Sequence, residues 1–189
     1  MNIAEESIQR LDEHAQVSIA FLVEKILVTS LMEGGLRGMG LTEETVGRPW
    51  LKDYDAADGE GPTRWPKRFD VSHWGLIAAH DGDRRVGGAV IAFDTPGVHM
   101  LGERDDLAVL WDLRIQPEHR AAGIGTLLFH AVEGWARNRG CRLLKVETQN
   151  INLPACYFYR RMGCSLVSID CLAYPDLPDE AQLIWAKQL

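Results

Sequence analysis

Positive charge is in short supply in this sequence. It sets 20 Lys and Arg against 27 Asp and Glu, a formal net charge of −7 with His neutral. Nucleic acid and anionic membranes are bound through clustered Lys and Arg, so neither is expected as a partner. A cationic substrate is compatible with the balance. Cysteine is sparse too. Cys141, Cys156, Cys164 and Cys171 show no C-x-x-C spacing and no paired His ligands. They read as small apolar residues of a reducing compartment, so no metal site is expected. No apolar run approaches the roughly 18 residues of a membrane span. The N-terminal MNIAEESIQRLDEHAQ has no basic segment leading into an apolar run, so no signal peptide is read and a cytoplasmic location is expected. Repeats and low-complexity tracts are absent as well.

What is present is enough apolar material for a core. With 189 residues, 46% of them hydrophobic, one domain spanning 1–189 is expected to fold without disulfide or metal staples. In the first third, 17–22 and 25–31 are rich in β-branched and apolar residues and read as strands of a hairpin. Residues 33–70, rich in glycine and acidic side chains, read as loop with one or two short helices. From Trp74 the pattern sharpens. Runs at 74–80 and 85–93 flank His80-Asp81-Gly82-Asp83, whose Asp-Gly pair signals a hairpin. After a loop at 95–106, residues 107–115 form a third strand. In strict alternation its Asp112 faces opposite to Val109, Trp111, Leu113 and Ile115.

A helix follows over 123–138. Its apolar stripe is Ile124, Leu127, Leu128, Ala131, Val132, Trp135 and Ala136, and Asn138-Arg139-Gly140 stops it. Next come a strand at 142–148 and a short helix at 153–162 with Asn152 as N-cap and Pro154 in its first turn. Strands at 165–172 and 181–187 close an α+β fold, a mixed sheet with a βαβ unit at its centre. The last strand is able to pair across a homodimer.

The chemistry concentrates in Arg120-Ala121-Ala122-Gly123-Ile124-Gly125-Thr126, between a strand and a helix. A backbone without Cβ atoms approaches a phosphate closely, and a helix N-terminus adds unpaired N–H groups and positive dipole. The segment is therefore read as an anion loop. A P-loop is excluded because no Gly-Lys-Ser/Thr follows. A dinucleotide fingerprint fails because Leu128 stands where a third glycine belongs, and some 120 residues precede the motif. The pattern [QR]-x-x-G-x-[GA] is met at every fixed position. A turn that merely needs glycine is the alternative.

That pattern resembles the coenzyme A diphosphate loop of the GNAT N-acetyltransferase superfamily. A second stretch, 150–163, resembles the later GNAT signature N-x-x-A-x-x-[FL]-Y-x-x-x-G-F at Asn152, Ala155, Phe158, Tyr159 and Gly163, and departs from it at Cys164. Residues 105–189 are further similar to streptothricin acetyltransferases, through Asp112, the run 147–152, Ala155–Tyr159, and Glu180 with Ile184-Trp185. The resemblance implies a mixed, mostly antiparallel sheet with a splayed central strand pair and helices on both faces. It also implies acetyl-CoA as cosubstrate, no metal, and a small-molecule primary amine as acceptor. A variable acceptor-side region at 1–73 would precede an acetyl-CoA-binding core at 74–189.

The same resemblance assigns roles. Main-chain groups near Leu113 and Ile115 would pair with the pantetheine arm, core packing being their other role. Arg120 to Thr126 would receive the diphosphate, largely through backbone, with a surface charge as the alternative for Arg120. Asn152 would cap its helix, touch coenzyme A, or both. Tyr159 would protonate the leaving thiolate, since a phenol of ordinary pKa about 10 keeps its proton at neutral pH. Its competing role is a core aromatic on a face shared with Ala155, Phe158 and Met162. Asp112 and Glu147 are the candidate bases, because a carboxylate on a central strand is costly unless paired or functional. Salt bridging is the alternative for each. Two further readings stand beside acetyl transfer to a small amine: a non-catalytic coenzyme A module on the same fold, and acetylation of a protein or peptide.

Overall fold

Alternation and turn residues set most of the element boundaries. The computed structural model describes residues 1–56 and 60–189. Its elements are β1 (Asn2–Glu6), α1 (Leu11–Ala15), β2 (Phe21–Leu31), β3 (Met39–Lys52), α2 (Trp65–Arg68), β4 (Gly75–Asp81), β5 (Arg84–Ala92), β6 (Leu107–Ile115), α3 (Ile124–Asn138), β7 (Leu143–Gln149), α4 (Leu153–Arg161), β8 (Ser165–Asp170) and β9 (Gln182–Gln188). Seven strands form one sheet in the order β1-β4-β5-β6-β7-β9-β8, while β2 and β3 form a separate ribbon. β6 and β7 run parallel; β1–β4, β4–β5, β5–β6 and β8–β9 are antiparallel. This is the expected α+β, mostly antiparallel architecture. The chain divides into two compact units, one of Met1–Ala20, Asp53–Val146 and Lys187–Leu189, the other of Phe21–Lys52 and Glu147–Ala186.

The first unit is built on the β4–β5–β6 meander. Leu76, Val90, Leu107 and Val109 pack with Leu11, Trp65, Trp74 and Leu101 into one buried cluster. α3 contributes Leu128, Phe129 and Val132, all fully buried. Each such side chain is worth about 1.5–3 kcal/mol of transfer free energy.

β6 is not regular. Its pairing with β5 shifts between Val90–Asp112 and Ile91–Leu110, which leaves Trp111 as an extra residue. The bulge is stabilised by aromatic packing, because the Trp111 ring lies 5.2 Å from Trp74 and 5.4 Å from Phe69. It also corrects the expected facing of Asp112. Asp112 pairs with Val90 and Val109 with Ala92, residues of equal parity on β5, so the two share a face. Leu113 and Ile115 remain opposite to Asp112.

In the second unit the expected hairpin at 17–22 and 25–31 is replaced by one strand. β2 runs continuously and pairs antiparallel with β3, in the region read as loop. The register jumps from Val23–Trp50 to Lys25–Thr45, so Val46 to Pro49 bulge out opposite Glu24. Gly47 and Pro49 in that bulge, and mostly exposed side chains throughout β3, erase the alternation a strand normally shows. Among the described residues, the expected short helices of this region appear as 3-10 turns at Met32–Gly35 and Pro62–Arg64 and as α2.

Asn150 fastens the second unit internally. Its Nδ2 donates to Leu27 O at 3.0 Å, its Oδ1 accepts from Ala181 N at 2.7 Å, and its main-chain O accepts from Leu27 N at 2.9 Å.

Candidate functional site

The glycine loop delivers the geometry an anion needs. Ala121 has φ 60° and Gly123 φ 84°, two left-handed residues flanking Ala122. Such alternation aims successive N–H groups into one concavity. A left-handed alanine costs about 1–2 kcal/mol, so the loop stores strain. Gly123 is the N-cap of α3 and has no side chain to cap it; the first turn also carries no acidic residue. The first N–H groups drawn back into the helix are those of Thr126 and Leu127, both to Gly123 O at 3.1 and 3.2 Å. Gly123, Ile124 and Gly125 precede them as the orphan N–H groups of an uncapped helix start, with Ala121 and Ala122 just before it. The Thr126 N–H thus already has an acceptor in Gly123 O.

Arg120 has its guanidinium engaged by main chain. Nε donates to Ile115 O at 2.9 Å, Nη1 to Ala20 O at 2.8 Å and Nη2 to Ser18 O at 3.0 Å. Its main-chain N–H goes to Pro117 O at 3.3 Å. Three of a guanidinium's five donors are thus committed to carbonyls. Arg120 is a clamp rather than a free surface charge.

Leu113 and Ile115 turn main-chain groups away from β5. The β6–β7 ladder runs from Leu107–Leu143 to Leu110–Val146, whereas β6 pairs with β5 as far as Ile115–Gly87. Gln116 N donates to Val86 O at 2.9 Å, which makes 116 and 86 a hydrogen-bonded pair. Antiparallel pairs alternate, so Ile115–Gly87 and Leu113–Ala89 are non-bonded pairs whose polar groups point away from β5. The Ile115 carbonyl meets Arg120. The N–H and C=O of Leu113 and the N–H of Ile115 point to the side of β6 away from β5.

Asp112 lies in a buried ionic cluster. Arg114 donates to its two oxygens at 2.9 and 2.7 Å, and His14 Nε2 lies 2.7 Å from Oδ1. Arg114 also reaches Asp55 at 2.6 Å. His14, Arg114 and Asp112 are 0%, 2% and 8% exposed. Gly88 makes room for the imidazole, since a Cβ there would lie 2.6 Å from its Nδ1. Burial alone would push the Asp112 carboxyl up. The Arg114 charge and the hydrogen bonds from His14 and Arg114 outweigh it and hold the carboxyl well below the usual carboxylate range. Asp112 thus has the salt-bridging surroundings named as the alternative to its reading as a base. Sequence reasoning missed Arg114, Asp55 and His14. Arg114 had a signal, a cation two residues from Asp112 on the same strand face.

In the second unit Glu147 is half-buried and accepts from Tyr174 Oη at 2.5 Å, Gln182 Nε2 at 2.8 Å and Gln149 Nε2 at 3.3 Å. Burial and the Glu147 contact push the Tyr174 phenol well above its ordinary value, so it remains a donor. Lys52 and the buried Glu180 form an ion pair. Asn152 caps α4 as expected, its Oδ1 accepting from Ala155 N at 3.3 Å. Tyr159 is 6% exposed and buried like Leu153 and Cys156, while Ala155, Phe158 and Met162 are half-buried. Its ring stands edge-on to Phe158 at 5.1 Å. Among the described residues no group of His, Cys, Asp or Glu is arranged to hold a metal ion, and no helix is long and apolar enough to cross a membrane.

Residues 43–164 match the acetyltransferase (GNAT) family. The streptothricin acetyltransferase of Streptomyces lavendulae is 37% identical over 71 residues, 38% of this chain and 38% of that protein. Streptothricin acetyltransferase A of Bacillus subtilis (strain 168) is 33% identical over 81 residues, 41% of this chain and 46% of that protein. The aligned part thus spans less than half the length of either relative. In fold, the chain is similar to a putative streptothricin acetyltransferase from Bacillus anthracis str. Ames, solved in complex with acetyl coenzyme A. The TM-score is 0.76 at 22% identity, over 100% of this chain and 99% of that one.

Proposed function

Because the chain belongs to the acetyltransferase (GNAT) family, we propose that it transfers the acetyl group of acetyl-CoA to a primary amine of a small molecule, a streptothricin-type antibiotic being the leading candidate. The observation that carries this reading is the start of α3. There two left-handed residues and an uncapped first turn without acidic side chains leave a row of N–H groups for an anion. A diphosphate matches that chemistry. The acceptor class is supported by the names of the relatives and by the excess of negative charge.

Acetyl-CoA supplies an acetyl thioester activated toward a neutral amine. Main-chain groups of Ala121 to Gly125 hold the diphosphate, and those of Leu113 and Ile115 hold the pantetheine amides. Glu147 receives the acceptor ammonium and takes its proton, directly or through water, with Tyr174, Gln149 and Gln182 fixing the carboxylate. Tyr159 gives its phenolic proton to the departing thiolate. Asp112 stays outside the proton chain as the partner of Arg114 and His14.

Thiol release from acetyl-CoA across a panel of streptothricin, polyamines, aminoglycosides and peptides tests the proposal. Turnover of streptothricin or another small amine supports it. Turnover of peptides alone moves the acceptor to protein. Coenzyme A binding without turnover leaves a non-catalytic module.

A further inference from the structure

Between α1 and β2 the chain has no regular structure, yet side chains of the β6–loop segment hold its carbonyls one after another. Gln116 Nε2 donates to Gln16 O at 3.3 Å, Arg114 Nη1 to Val17 O at 3.1 Å, and Arg120 to Ser18 O and Ala20 O at 3.0 and 2.8 Å. A backbone stretch held by side chains instead of a neighbouring strand is only as fixed as those side chains. Arg114 is anchored by Asp112 and Asp55. Arg120 forms no ion pair among the described residues; its third carbonyl there is Ile115 O, the last residue of β6. One guanidinium therefore joins the end of β6, the anion loop and the strap 16–20. Turning it toward a phosphate would release three carbonyls at once.

We propose that Arg120 is a positioning residue that fixes the strap 16–20 against the donor loop, and that its guanidinium does not serve the donor's diphosphate. This rests on the donor assignment under Proposed function and sharpens it, because the diphosphate is then held by main chain alone. The strap lies in the 1–73 region assigned to the acceptor side. Loss of Arg120 is felt there, while the donor's affinity is kept.

Arg120→Ala and Arg120→Gln are compared with the unmodified chain by hydrogen exchange of peptides covering 16–20, by calorimetry with coenzyme A, and by thiol release with streptothricin. Two donors are used in the last assay, acetyl-CoA and acetyl-pantetheine, which lacks the diphosphate. Exchange at 16–20 accelerates about tenfold in Arg120→Ala and less in Arg120→Gln, whose amide still reaches one carbonyl. Coenzyme A affinity stays within about threefold, and KM for streptothricin rises about tenfold by the same factor with either donor. Coenzyme A affinity falling tenfold or more, with exchange unchanged and acetyl-pantetheine turnover intact, makes Arg120 a phosphate ligand and overturns the proposal. If Arg120→Ala does not fold, Arg120→Gln carries the same comparison. An unmodified chain that binds no coenzyme A refutes the donor assignment, and the exchange measurement then judges the strap alone.

Discussion

Asp112 and Tyr159 are both buried, and their neighbours give them opposite characters. Asp112 is an anion enclosed by Arg114 and His14. Removing one member of a buried ion pair strands the other, so Asp112→Asn is expected to cost about 3–5 kcal/mol in urea unfolding at neutral pH. Its folded pKa lies below the unfolded one, so its contribution is complete above about pH 5 and is lost as pH falls below the ordinary aspartate value of about 3.9. The unmodified chain should therefore lose stability on acidification more steeply than Asp112→Asn does; equal slopes would take the carboxylate out of that role. Tyr159 packs in the buried face of α4 with Leu153 and Cys156. Tyr159→Phe keeps that packing and removes only the hydroxyl. The proposed proton transfer then predicts a fall in kcat of about 10²-fold or more at unchanged acetyl-CoA affinity, read from calorimetry beside steady-state rates. Unchanged turnover would leave Tyr159 a core aromatic.

At the scale of elements, α3 and α4 depend on how they begin. Gly123 takes φ 84°. Gly123→Ala forces a side chain into the left-handed region at about 1–2 kcal/mol. It should weaken coenzyme A binding far more than it lowers the melting temperature, as calorimetry and thermal unfolding together would report. Asn152→Ala removes a cap worth about 0.5–2 kcal/mol, and thermal unfolding should shift down accordingly. These two starts were legible because glycine and asparagine at helix entrances carry local meaning. β4, β5, β6 and β7 were legible from continuous apolar runs between turn residues. β3 was not, since Gly47 and Pro49 interrupt it and most of its side chains are exposed. The bulge at Trp111 was equally invisible, because its stabilisation comes from Trp74 and Phe69, distant in sequence. The same holds for the site. The anion loop, Asn152, Tyr159 and Glu147 stand in recognisable local patterns. Arg114's grip on Asp55 and Arg120's hold on Ser18 and Ala20 exist only in three dimensions.

At the scale of the whole molecule, the two units are interleaved along the chain. The glycine loop and β6 belong to the first, and Glu147, Asn152 and Tyr159 to the second. The net charge of −7 gives the chain a field that favours cationic ligands, as the proposed acceptor amine would be, over anionic ones. Salt screens such attraction, so kcat/KM for a cationic amine should fall as ionic strength rises, and a flat salt profile would remove charge from acceptor recognition. The central claim is that the chain moves an acetyl group from acetyl-CoA to a small primary amine. Its most direct test is thiol release from acetyl-CoA with streptothricin, with mass spectrometry of the antibiotic in the same mixture. The account predicts thiol released in step with a product one acetyl group heavier, acetylated on nitrogen. Neither thiol nor acetylated product, with every amine of the panel and saturating acetyl-CoA, would contradict it.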